Sequence, residues 1–209
     1  MNTIKHLEWR YATKEFDATR KVNKADLEQL KRAVQLSVSS FGLQSYKILI
    51  IEDKEIREQL KPASWNQNQI TDASHLFVFC NYNSVHPTDV DAYIRTVSEV
   101  RNTPIGSLES YRNSIKISIG NKTAQELKNW LERQPYLALS NLLIACAELN
   151  IDACPMEGFI SEEYNKLLKL DEQGLNACVI APIGYRSAND KMQFLPKVRK
   201  SNEELFQHI

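Results

Sequence analysis

Residues 123–150, TAQELKNWLERQPYLALSNLLIACAELN, form the longest stretch with helical spacing, and the part after Tyr136 is apolar enough to require burial on most sides. Such a helix belongs either in a membrane or in the middle of a folded domain. Ser140, Asn141 and Glu148 interrupt the apolar run, which leaves it short of the ~18 apolar residues that a span needs. It therefore reads as a core helix that the rest of the chain must cover. Pro135 is expected to kink or break it, because proline removes one backbone donor and crowds the preceding turn.

Three apolar runs can supply the cover. YKILIIED (46–53), HLFVFCNY (75–82) and LNACVIAPIGYR (175–186) are short and rich in β-branched and aromatic residues, so each predicts a buried strand. IDACPMEGF (151–159) predicts a strand followed by a turn. Helices are expected over about residues 3–9, over 22–38 with Asn23 as N-cap and Asp26 three residues on, and over 54–63 with a stop near Pro62. Further helices are expected over 87–102, which opens on a proline, and over 161–170 as a short capped helix. Residues 103–121 are rich in Ser, Asn and Gly and support no assignment, and the last 24 residues lack a period and end in an amphipathic tail. No repeat, linker or composition break divides the chain. The expectation is one α+β domain over residues 1–209, with few strands and long helices around one central helix.

Lys+Arg and Asp+Glu both number 26, so no net field points to nucleic acid or to an acidic partner, and any anion recognition must be local. MNTIKHLEWR carries charge from its fifth residue and has no apolar signal region. Cys80, Cys146, Cys154 and Cys178 are embedded in apolar sequence with no CxxC spacing, which predicts buried, reduced thiols in a cytoplasmic protein. The four histidines stand far apart without HxH or HExxH spacing, so no metal site is expected. The six glycines form no GxGxxG, GxxxxGK or GxSxG, which excludes classical Rossmann, P-loop and nucleophile-elbow chemistry. A nucleotide, if bound, must be held by side-chain cations and scattered backbone amides.

Four short stretches could do so. RYATKEFD (10–17) sets Arg10 and Lys14 four apart among Tyr11 and Phe16, and SSFGLQ (39–44) offers two hydroxyls at a helix end. PMEGF (155–159) is a turn whose amides could point at a ligand, and LPKVRK (195–200) puts Lys197 and Arg199 on one side of an extended chain. Taken singly, these are a solvated helix end, a capping loop, a plain turn and a basic tail.

In this order they are joined by NxxxxxDASHxxVFC from Asn66 to Cys80 and RQxYL from Arg133 to Leu137. The set resembles the FMN-dependent nitroreductase family over nearly the whole chain, closest to the branch of oxygen-insensitive NAD(P)H nitroreductases and dihydropteridine reductases. The resemblance implies a central mixed or antiparallel sheet flanked by helices. It also implies that the long core helix lies at the interface of an intertwined homodimer, with flavin sites shared between subunits.

By the same resemblance, Arg10, Lys197 and Arg199 hold the FMN phosphate, and Lys14 lies near the N1/O2 edge of the ring. Asn66 bonds the pyrimidine side. The backbone N–H groups of Glu157 and Gly158 meet N5 and O4, with Pro155 and Met156 against the ring face. Ser39, Ser40 and Gln134 reach the flavin from the second subunit. Tyr11 and Ala12 stand where the family has His-Ser, Gly42 where an Asn is frequent, and Gln69 where a Lys is frequent near N1/O2. Loss of that Lys predicts a reduced flavin with less electrostatic support. The implied activity is ping-pong, two-electron hydride transfer from NADH or NADPH through flavin N5 to nitro compounds, quinones or pteridines. No side chain acts as nucleophile or general acid. Two other classes stay open at this point, a flavin carrier or sensor without turnover and an interaction domain without cofactor. Steady NADH oxidation with an added acceptor separates the first from an enzyme.

Overall fold

The computed structural model describes residues 2–209. In chain order the helices and strands are α1 (Asn2–Trp9), α2 (Lys24–Gln35), β1 (Tyr46–Ile51), α3 (Lys54–Ala63), α4 (Gln69–Asp72), β2 (His75–Tyr82) and α5 (Pro87–Arg101). They continue with α6 (Glu109–Gly120), α7 (Ala124–Glu148), β3 (Asp152–Ala153), α8 (Ser161–Leu167), β4 (Leu175–Gly184) and α9 (Asn202–Leu205). The architecture is α+β, as expected.

The strands form one sheet in the order β1-β2-β4-β3, antiparallel at every step. β2 is central and buried through Asn81, which explains why its sequence is a nearly unbroken apolar run. Its side chains alternate between two cores. Leu76, Val78 and Cys80 join Leu60, Ile70, Tyr164 and Ile180 on one face. Phe77 and Phe79 join Leu30 and Val34 of α2 and Ala138, Leu139 and Leu142 of α7 on the other. A bulge between Phe79 and Cys80 leaves Cys178 as the extra residue of β4, so this thiol is half-buried while Cys80, Cys146 and Cys154 are buried. All four are free thiols, as the sequence predicts.

Three expectations need correction. Pro135 lies inside α7, which runs unbroken for 25 residues. Proline in a helix interior costs about 3 kcal/mol. Here the helix is held from both sides of that point, by a Thr123–Glu126 capping box at its start and by buried Leu131, Ala138, Leu139 and Leu142 along its length. Residues 103–121 are ordered, with a 3₁₀ turn at Ile105–Leu108 leading into α6. The poor helix formers of α6 are offset by burial of Ile115 and Ile119 against Val90 and Ile94 of α5, and by Asp91, which takes Lys116 Nζ at 2.6 Å. α8, expected over 161–170 as a capped helix, ends at Leu167 and has no side-chain hydrogen bond at its N-cap position. Ile160 occupies that position, and the Ser161 hydroxyl donates instead to the Ala177 carbonyl at 2.6 Å. Asn23 does cap α2, accepting from the Asp26 N–H at 2.9 Å.

Candidate functional site

After α1 the chain crosses the edge of the sheet as a strap. Ala12 bridges Ala153, Phe16 bridges Arg186, and the buried Phe16 ring pins the crossing to the core. Asp190 fixes the strap from the far end of the sequence. Its carboxylate, 1% exposed, accepts from Tyr11 Oη at 2.9 Å and from the backbone N–H groups of Lys14 and Glu15 at 2.8 and 3.2 Å. Its other oxygen takes the Met192 N–H at 3.0 Å. Burial alone would raise this carboxyl, but the converging donors outweigh it and hold the group below the usual carboxylate range. The Tyr11 phenol is pushed up by burial and by Asp190, so it stays a donor.

A second buried carboxylate builds the wall behind the strap. Asp152 takes Arg186 Nε at 2.7 Å and the Arg186 N–H at 2.8 Å. The guanidinium lies 4.2 Å from the Trp9 ring centroid and 4.6 Å from that of Tyr11. Arg186 is thus committed to the Asp152 carboxylate and the two rings.

In front of this wall opens a cleft of about 550 Å³, lined by Arg10, Ala12, Lys14, Pro155, Lys197 and Arg199 among others. Residues near the two ends of the chain therefore meet. Burial lowers the pKa of Arg10, and the nearby Arg199 lowers it further. Lys197 is lowered by burial and then by Arg10 and Arg199, and its ammonium donates to the Arg10 carbonyl. Among the described residues, none of Arg10, Lys14, Lys197 and Arg199 has a carboxylate within ion-pair distance, although Glu8 also lines the cleft. Mutually repelling cations with no carboxylate in ion-pair contact are what recognition of an anion requires.

Pro155 lines the cleft and opens the turn over 155–159. Met156 exchanges backbone hydrogen bonds with Ile180 at 2.8 and 3.1 Å, the Phe159 N–H reaches the Glu157 carbonyl at 2.9 Å, and Gln67 Nε2 holds the Gly158 carbonyl at 3.0 Å. Among the described residues, the N–H groups of Glu157 and Gly158 have no protein partner. Two successive free donors at an otherwise tied turn are available to a ligand. The Glu157 carboxylate accepts from Tyr136 Oη at 2.5 Å. Beside the turn, Trp65 and Asn66 both adopt left-handed backbone (φ 54° and 56°), unusual for Trp and tolerated by Asn. A Cβ on Gly158 would stand 2.8 Å from the Trp65 ring, so glycine is what allows the two to meet. Asn66 is exposed, whereas Gln69 is buried at the start of α4.

Ser39, Ser40, Gly42 and Gln134 form a separate group that does not line this cleft. Gln134 Oε1 accepts the Ser40 N–H at 2.8 Å, and its amide donates to the Trp130 carbonyl at 3.0 Å. Gly42 has φ +81°, with Tyr93 Oη only 2.7 Å from where a Cβ would be. The structure thus assembles Arg10, Tyr11, Ala12, Lys14, Pro155, Lys197 and Arg199 directly, with the 156–158 turn and Asn66 alongside. Sequence reasoning missed Asp190, Arg186, Trp65 and Tyr136. Tyr136 lies within RQxYL and could have been singled out there, while nothing local marks Asp190 or Arg186.

Residues 7–185 match the family model described as the Nitroreductase family. The chain belongs to the nitroreductase family. A Staphylococcus epidermidis protein provisionally named an NAD(P)H nitroreductase is 32% identical over 212 residues, covering 96% of this chain and 94% of its own. Among solved structures, a nitroreductase described from Bacillus subtilis superposes with a TM-score of 0.89 at 19% identity, over 100% of this chain and 99% of that one. A nitroreductase from Exiguobacterium sibiricum, described in complex with FMN, superposes with a TM-score of 0.84 at 16% identity, over 100% and 98%. The nitroreductase fold is therefore that of this chain. Among the described residues, no helix is long and apolar enough to cross a membrane.

Proposed function

We propose that this chain is a single-domain, FMN-dependent NAD(P)H oxidoreductase that reduces nitro compounds, quinones or pteridines, working as a homodimer with shared flavin sites. One observation carries the reading. Arg10, Lys197 and Arg199 converge in one cleft with no carboxylate in ion-pair contact, which suits a dianionic phosphate that needs several charge-assisted donors.

The residues present fit riboflavin phosphate. Arg10, Lys197 and Arg199 would hold the phosphate, and Tyr11 and Ala12 would line its approach. The free N–H groups of Glu157 and Gly158 would take the ring edge, Pro155 and Met156 its face, and Asn66 its pyrimidine side. Lys14 would place positive charge where the reduced ring is anionic, and Gln69, at the position the resemblance assigns near N1/O2, would contribute none. FMN, when bound, supplies the atom that receives hydride from NADH or NADPH and passes it on. The chain's own residues position and polarise, and none is required as nucleophile or acid.

Ser39, Ser40, Gly42 and Gln134 would serve the site of a second copy. Two facts support this. They lie outside the cleft of their own chain, and Leu36 and Val38 beside them are 63% and 72% exposed, apolar surface that a partner would cover.

The test is the visible spectrum of the purified protein, followed by anaerobic NADH and then by menadione or nitrofurazone. A yellow protein that bleaches and turns over is the expected result. A protein that stays colourless after incubation with FMN overturns the reading. Bound FMN without turnover makes the protein a carrier or sensor.

A further inference from the structure

We propose that Asp190 is a positioning residue, which aims Lys14 into the cleft through the strap backbone and so sets how strongly a bound flavin is held reduced. The inference rests on the flavin reading above and deepens it. Asp190 does not itself line the cleft, whereas Lys14 does. The Lys14 N–H belongs to the peptide plane before that residue, and the Glu15 N–H to the plane after it. Both donate to the same Asp190 oxygen, at 2.8 and 3.2 Å, and among the described residues neither plane has another hydrogen-bond partner. The next supports lie one plane further out on either side. There the Thr13 N–H reaches the Ala153 carbonyl only at 3.5 Å, and the Glu15 carbonyl takes the Ser187 N–H at 2.9 Å. Two planes pinned to one point fix the soft dihedrals of Lys14 between them, and with those the direction of its Cα–Cβ bond.

The carboxylate is suited to this role. It is 1% exposed, and its converging donors keep it ionised. Tyr11 Oη shares the oxygen that takes the two amides, and the other oxygen takes the Met192 N–H. Bonds to an ionised acceptor are about twice as strong as neutral ones. Met192 and Leu195 line the cleft on the way to Lys197 and Arg199, so one carboxylate ties the strap to the segment that carries the other cations. Among the described residues, Asp190 makes no ion pair with Lys14, which leaves the ammonium free for a ligand. The effect on chemistry follows from preorganisation. A cation supports negative charge that develops beside it fully only when it need not be reoriented as that charge appears.

The experiment compares Asp190→Asn, Asp190→Glu, Lys14→Gln and the Asp190→Asn/Lys14→Gln double variant with the parent. Asn keeps the shape and drops the charge, whereas Glu keeps the charge and displaces the oxygens, so the pair separates position from charge. Amide exchange in the flavin-free proteins, read residue by residue, should be faster at Lys14 and Glu15 in both Asp190 variants. Either variant decides this arm if the other fails to fold. The two-electron potential of bound FMN, read by anaerobic titration against a reference dye, should fall in both. The fall should correspond to a preference for reduced over oxidised flavin that is up to about tenfold weaker, the low end for a hydrogen bond to a charged group. Lys14→Gln should lower the potential as well, and adding Asp190→Asn to it should lower it no further. Unchanged exchange or an unchanged potential in the Asp190 variants overturns this inference alone. So does a fall of the same size in the Lys14→Gln background, or opposite shifts for Asn and Glu, because Asp190 would then act without Lys14. A parent that binds no FMN overturns the flavin reading and this inference with it.

Discussion

Buried Asp152 and part-buried Arg186 form a multiply bonded ion pair whose guanidinium lies against the rings of both Trp9 and Tyr11. One carboxylate on the shortest strand therefore sets the aromatic wall on which the Arg10 strap rests. Removing one partner of a fully buried pair costs roughly 3–5 kcal/mol, and the part-exposed guanidinium left here lowers that cost. Asp152→Ala should lose stability below that range but measurably in urea titrations with an unchanged slope, and Asp152→Asn should lose less. An unchanged midpoint for Asp152→Ala would show that the wall stands without the pair.

Arg199 is exposed and makes no ion pair among the described residues, so its removal should leave the fold intact. A hydrogen bond to a charged group contributes about 1.5–3 kcal/mol. Arg199→Ala should therefore weaken FMN binding by roughly one to two orders of magnitude, read by fluorescence titration. Affinity equal to the parent's would place the phosphate elsewhere.

His75 is 4% exposed, with Ser74 Oγ 2.9 Å from Nδ1 and Glu52 Oε1 3.5 Å from Nε2. Burial lowers its pKa, Arg57 and Lys21 lower it further, and Glu52 only partly opposes them. The folded protein thus keeps a neutral imidazole that the unfolded chain protonates below about pH 6.5. Stability present above that pH is lost as pH falls through it. His75→Gln should flatten the decline in stability between about pH 7 and 5. The same slope in parent and variant would rule His75 out as its source.

Two glycines should respond with opposite sign. A Cβ on Gly184 would lie 2.9 Å from the Ser74 backbone nitrogen and 3.1 Å from the Phe16 ring, neither of which can move cheaply. Gly184→Ala should cost about 1–3 kcal/mol by overpacking. Gly120, at the end of α6, has nothing within 4 Å. Gly120→Ala should stabilise by about 0.4–1 kcal/mol through the unfolded chain. Thermal melts of the two variants check both.

Strand β2 was legible to the residue because burial on both faces forces an unbroken apolar run with sharp ends. The Asn23 cap was legible because its chemistry is local. Pro135 misled because propensity is local, whereas the packing that overrides it comes from α2 and the sheet. The cap expected for α8 is missing for a related reason, the Ser161 hydroxyl being claimed by β4. At the site, the cations could be named from short motifs. The company they keep could not, because Asp190 and Arg186 act across separations of more than 30 residues, and sequence spacing carries no trace of such pairings.

The Asp190 knot has a consequence for the order in which a growing chain acquires its parts. Arg10 and Lys14 are made at the start of synthesis, yet their strap is tied down only as Ala153, Arg186 and finally Asp190 arrive, the last of them 176 residues after Lys14. The other two cations of the cleft come later still. A nascent chain can lay β1 against β2 and cap α7 well before it owns any grip on an anion. On the reading proposed above, cofactor capture therefore follows the pairing of β1 with β2 and does not template it.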